Sequence, residues 1–316
     1  MSRLYIRVSY NTTLFSFVDS LSTWDHFVSK HINKYFHDNY GIGSQDQKLL
    51  DQYAQIRRQL NWEKEIDLFN WAFSGYQDHP GFNELLPAIR YFETKKNNTG
   101  VSLKFEIEKE TKKLSQIRSD VEKRFEKLCS ENTIKVFTSL FGNSSQSKLI
   151  PCYLTYSPDI HATQGGANGD GIYTEVSTGL NKNLQINETI SVILHEYTHK
   201  TLKPGEYLRK RAKIKKDNIY DNEYSSIYPG PYSAFVEEAI IYTICDVFTL
   251  GTDPLEQRNN FIDRNDNEMK IIWQSVHDIS PILHSYLIGA DTSTDTFNLL
   301  DNYFHMLKLR VNQSCL

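Results

Sequence analysis

The chain has 316 residues with a formal charge of −4, of which 39% are hydrophobic and 23% charged. That balance excludes a disordered chain, and the length suffices to bury a core without staples. The near-neutral charge argues against a nucleic-acid partner, and the one basic cluster, Arg209–Lys216, reads as a solvated face. No apolar run approaches a membrane span and the N-terminus lacks the apolar stretch of a signal peptide. The expected location is therefore the cytoplasm, or outside the cell if a signal has been removed. Cys129, Cys152, Cys245 and Cys315 stand far apart without a Cys-x-x-Cys pair, so they carry no zinc-ribbon or redox signal.

In chain order, Met1–Tyr10 alternates like a short strand. Helical spacing follows in Trp24–Phe27–Val28–His31–Ile32–Phe36, in Leu49–Leu50–Tyr53–Ile56–Leu60 and in Ile66–Phe69–Trp71–Ala72. Gly41, Gly43 and the Gly75–Pro80–Gly81 region punctuate these helices. From Leu103 to about Leu140, Phe105, Ile107, Leu114, Ile117, Val121, Phe125 and Leu128 recur mostly three or four apart, which predicts one long amphipathic helix or two. The pattern then changes. Leu149–Tyr156 and Ile172–Ser177 read as strands, and the glycine-rich Gly165–Gly171 between them reads as a turn or the rim of a cleft. Its glycines do not match a phosphate loop. After Asn187 the chain turns helical again. The order predicts an α+β fold, mainly α, with a helical N-terminal region over 1–145 and a second region over 146–316.

The second region carries the chemistry. Ser191–Lys200 contains His-Glu-x-x-His as His195, Glu196 and His199. On a helix, residues four apart stand on one face, so both imidazoles can reach one metal ion. Glu196 is turned by one residue and lies beside that ion, placed to take a proton from water. Asn187 is the expected N-cap, Ile190, Ile193, Leu194 and Tyr197 the apolar side, and Lys203-Pro204-Gly205 the stop. A buried helix that presents two histidines and a glutamate needs compensation for them, and a zinc ion supplies it.

A zinc hydrolase site takes three protein ligands. The metzincin continuation fails, because Leu202 and Gly205 stand where a glycine and a third histidine would be. Downstream, Tyr232–Leu250 reads as a helix with Glu237 and Glu238. His-Glu-x-x-His followed by a glutamate on a second helix resembles the gluzincins, the thermolysin-like clan of zinc metallopeptidases. The likeness covers about Leu149 to Leu250. It implies a zincin-like core, in which the active helix packs beside a small sheet whose edge strand lines the substrate cleft. Gly171–Ser177 would be that strand.

Either glutamate could be the third ligand. Val236, Ala239, Ile240, Ile244 and Val247 form an apolar stripe that Glu237 borders and Glu238 opposes. The family pattern around its ligand favours Glu238, with Val236, Ile240 and Tyr242 at the matching places. Tyr242 stands where thermolysin-like enzymes carry an aspartate, and Asp246 lies one turn further on. Tyr228, Tyr232, His277, His284 and Tyr303 are all candidates for the oxyanion donor. The resemblance thus implies a peptidase acting on a peptide or protein, with Zn2+ on His195, His199 and Glu238 and Glu196 as general base. A metal-binding protein without turnover, or a zinc hydrolase of another amide or ester, is the alternative.

Overall fold

In the computed structural model, residues 3–25, 28, 30–130, 149–158, 164–168, 171–202 and 241 are described. Among them are seven α-helices and four strands, which makes the fold α+β and mainly helical. Contacts divide the chain into two compact units, Met1–Glu126 with Gln146–Glu196, and Lys127–Ser145 with Tyr197–Leu316. The sheet and most described helices belong to the first. Of the second, the described residues are the ends of two helices and Ile241, which is buried.

Strand β1 is Arg3–Val8, β2 Leu149–Ser157, β3 Gln164–Asn168 and β4 Gly171–Ser177. Their order is β1-β2-β4-β3. β1, β2 and β4 are parallel, with Ile6 opposite Cys152 and Cys152 opposite Ile172, while β3 runs antiparallel to β4. The expected boundary at 145/146 therefore lies between two strands that are hydrogen-bonded neighbours. All seven residues of β4 are buried, as an interior strand covered on both faces requires. Pro151, which has no N–H, precedes the start of β2–β4 pairing at Cys152.

Two corrections follow. The glycine-rich segment is not a turn, because Gln164–Asn168 forms β3. Gly171–Ser177 is not the edge strand, because β4 is paired on both sides and β3 lies outside it. Glycine offers no side-chain pattern from which a strand could be read.

One sheet face carries Tyr153, Thr155, Tyr173 and Glu175, and it is covered by helices α1 (Tyr10–Leu21) and α4 (Glu65–Phe73). α1 starts at an N-cap in which the Thr12 N–H donates to Ser9 Oγ at 3.1 Å. It is buried from Thr12 to Leu21. Its polar residues are spent on the interior: Ser16 Oγ donates to Thr155 and Ser20 Oγ to Glu175. Phe69 of α4 lies edge-on to Phe15 at 5.3 Å and stacks on Tyr153 and Tyr173. Helices α2 (Lys30–Tyr40), α3 (Ser44–Leu60) and α5 (Leu86–Thr94) complete this layer.

Asp19 is the buried node of the layer. It accepts from Trp24 Nε1 at 2.9 Å, Tyr53 Oη at 3.0 Å and Arg57 Nε at 3.0 Å. Arg57 is 0% exposed, pairs also with Glu65, donates to the Asn61 carbonyl and lies 4.0 Å over the Trp24 ring.

The other face carries Ile6, Cys152, Leu154, Tyr156, Ile172 and Val176. Helix α6 (Leu103–Ser130) presents Leu103, Ile107, Leu114, Ile117, Val121 and Phe125 as its buried stripe, with Phe105 60% exposed. Glu106 of α6 accepts from the hydroxyls of Tyr35, Tyr40 and Tyr156. Glu122 accepts the Ile6 N–H at 3.3 Å and so occupies part of the outer edge of β1. Among the described residues no helix is long and apolar enough to cross a membrane.

Candidate metal centre and active site

The His-Glu-x-x-His segment lies on one continuous helix, α7, from Lys182 to Leu202. Its N-cap is Asn181, not the expected Asn187 further along the chain: Asn181 Oδ1 accepts the Leu184 N–H at 3.1 Å and its carbonyl the Gln185 N–H. Asn187 is thus inside the helix, and the extra turn begins where the chain leaves β4. The helix is described as far as Leu202, and the expected stop at Lys203-Pro204-Gly205 lies outside the described residues. Ile190, Ile193, Leu194 and Tyr197 are buried, as expected of the apolar side.

His195 and His199 are half-buried and Glu196 is 9% exposed. At about 100° per residue the two histidines are offset by roughly 40° around the axis, one turn apart, which lets both rings reach one ion. Glu196 projects about 100° further round than His195. Val192, one turn before it, shares its stripe.

That stripe meets the sheet at β3. Gly165 sits so near α7 that a Cβ there would stand 2.6 Å from Val192 Cγ1 and 3.1 Å from Glu196 Cγ. The Gly165 backbone therefore runs directly against the stem of the Glu196 side chain. Gly166 points to the other face, where the Tyr173 ring fills the place of a side chain. Among the described residues β3 has one hydrogen-bonded neighbour, β4.

The Glu196 carboxylate also acts on its neighbours. Burial pushes the Cys152 thiol far up and the charge of Glu196 adds to it. Tyr173 is raised well above an ordinary phenol by burial, then by Glu175, Glu196 and Asp19, with Arg57 opposing. Both groups stay protonated at neutral pH. Cys152 is a buried thiol and serves as packing.

Glu238 and its rival Glu237 lie outside the described residues, as do Tyr228, Tyr232, Tyr242, Asp246, His277, His284, Tyr303 and the basic cluster. Among the described residues no three His, Cys, Asp or Glu side chains converge on one point. The two histidines and Glu196 are thus placed by α7, and the expected third ligand comes from a segment whose position is not described. Sequence reasoning missed Gly165 and its contact with Glu196. The signal present was a pair of side-chain-free residues between two strand patterns, which fits a close backbone approach as well as a turn.

No family model, curated protein or solved structure matches the chain.

Proposed function

We propose that the chain is a zinc-dependent metallopeptidase of gluzincin type, with a zincin-like core formed by β1–β4 and α7. One observation carries this reading: His195, Glu196 and His199 lie on a continuous helix whose Glu196 stem is packed against the antiparallel edge strand β3. On this reading β3, outermost of the described strands on that side, would line the substrate cleft in place of Gly171–Ser177.

The donor set fits the metal. Two half-buried imidazoles share a helical face, and borderline-soft zinc takes nitrogen ligands readily. His195 and His199 would hold the ion, with Glu238 as third ligand. When bound, zinc supplies Lewis acidity toward water and a substrate carbonyl. Glu196 takes the proton from the attacking water and returns it to the leaving amine. Its stem lies against the Gly165 backbone, so little reorganisation is needed for that transfer. A peptide or protein is the proposed substrate, by the same likeness.

Elemental analysis of protein purified without chelator tests the reading, with about one zinc per chain expected. Glu196→Gln should keep the metal and lose turnover of a peptide mixture, because an amide keeps the shape but takes no proton. Absence of any transition metal, with none taken up on titration, removes the proposal. A metal-loaded wild type that cleaves no peptide, amide or ester leaves only the binding protein.

A further inference from the structure

We infer that Gly165 is a positioning residue for Glu196: the missing side chain at this point of the edge strand sets how closely α7 approaches and where the glutamate stem rests. The inference rests on the peptidase reading and adds a residue that no motif names.

Three contacts define the position. A Cβ on Gly165 would stand 2.6 Å from Val192 Cγ1, 3.0 Å from the Tyr173 carbonyl oxygen and 3.1 Å from Glu196 Cγ. The first lies inside any tolerable carbon–carbon distance, since such atoms pack at about 3.5–4.0 Å. Val192 can relieve it by changing rotamer or by losing its methyls. The third cannot be relieved that way. Glu196 Cγ is the pivot of the carboxylate, and Glu196 is 9% exposed, so the stem has little free space to retreat into. The demand is local. Ala167 lies two residues on, on the same strand face, and carries its Cβ. Gly166 is empty for another reason, the Tyr173 ring on the opposite face. A helix, an edge strand and a base are therefore held in register by one missing methyl.

The test uses the full chain as Gly165→Ala, Val192→Ala and the double variant. Thermal unfolding, zinc affinity against a chromophoric chelator, and kcat and KM on a peptide cleaved by the wild type are measured for each. Gly165→Ala should lose stability and turnover. In the double variant, Val192→Ala removes the hard clash while the tight contacts with the Tyr173 carbonyl and Glu196 remain, so the melting temperature recovers most of the way to that of Val192→Ala alone. The contact with Glu196 persists and displaces its stem by a few tenths of an ångström, so kcat should stay down by about 10-fold, short of the ~100-fold of a full ångström's misplacement. Zinc affinity and KM should stay within a few-fold, because neither histidine is touched. Recovery of kcat together with stability overturns the inference and makes Gly165 a packing residue. So does loss of zinc in step with kcat, or a double variant that does not fold. A wild type without zinc or turnover removes the peptidase reading and this inference with it. An active wild type inactivated by Glu196→Gln, with Gly165→Ala at full kcat, removes this inference alone.

Discussion

Replacing Arg57 by Met should cost more stability than any surface change, and the structure supplies the size. The guanidinium is 0% exposed, and the Asp19 and Glu65 side chains that it serves are 6% and 5% exposed. Methionine fills much of the volume but leaves two carboxylates in a dry interior. Removing one partner of a buried ion pair costs roughly 3–5 kcal/mol. Asp19 keeps its bonds from Trp24 and Tyr53, which offsets part of the loss. Glu65 loses its cation outright, so we expect about 4 kcal/mol. Urea unfolding followed by tryptophan fluorescence is the assay, since Trp24 lies against Arg57. With a slope of about 2–3 kcal/mol/M the midpoint should fall by roughly 1.5 M. The triple change Arg57→Met, Asp19→Asn, Glu65→Gln removes the stranded charges and should recover at least half of the loss. A cost below about 1 kcal/mol for Arg57→Met, or a triple variant no better than the single one, refutes the assignment of Arg57 as the neutralising centre of this layer.

Glu238→Ala should lower zinc affinity by well over the ~10–100-fold typical of changes one shell out, whereas Glu237→Ala should change it only a few-fold, read by competition with a chromophoric chelator. The reverse result would rotate that helix and make Glu237 the ligand. Asn181→Ala should cost about 1 kcal/mol by chemical denaturation through loss of the α7 cap, and no loss would place the helix start elsewhere. Asp46 has a pH signature. Burial raises its pKa, but Lys95, the Gly43 N–H and the Tyr91 hydroxyl outweigh it and hold the carboxyl below the ordinary 3.8. A depressed folded value stabilises above the unfolded value and is lost as pH falls through the folded one. Melting temperature scanned downward from pH 6 should therefore fall less steeply below about pH 4 in Asp46→Asn than in the wild type. Identical slopes would detach Asp46 from acid stability.

What could be read from the sequence was what water leaves as contrast. α6 faces solvent on one side, so Leu103, Ile107, Leu114 and Ile117 stand out against Lys104, Lys112 and Lys113, although Phe105 breaks the contrast by lying on the exposed side. β1 shows its alternation because its two faces differ in residue type. α1 was not legible as a helix. It is buried all round, so no polar stripe marks its period, and Thr12, Thr13, Phe15 and Val18 favour strands in isolation. β3 was illegible for the opposite reason, having too little side chain to show a pattern. The His-Glu-x-x-His motif was legible because its three members sit within five residues and need only one helix to meet. The expected third ligand would come from a distant segment, and local spacing carries no distance between segments.

The pairing of β1 with β2 bears on the order in which the chain assembles. Ile6 finds its partner Cys152 only after the intervening helices have been made. Contacts so far apart in sequence form slowly, because a long loop must close before they return any stability. During synthesis α1 through α5 are complete while β2 and β4 do not yet exist. Phe69, which ends up stacked on Tyr153 and Tyr173, spends that interval without either ring. The nascent helical layer thus exposes an aromatic surface until roughly half of the chain has emerged, and that interval is when the protein is most open to aggregation and chaperone capture.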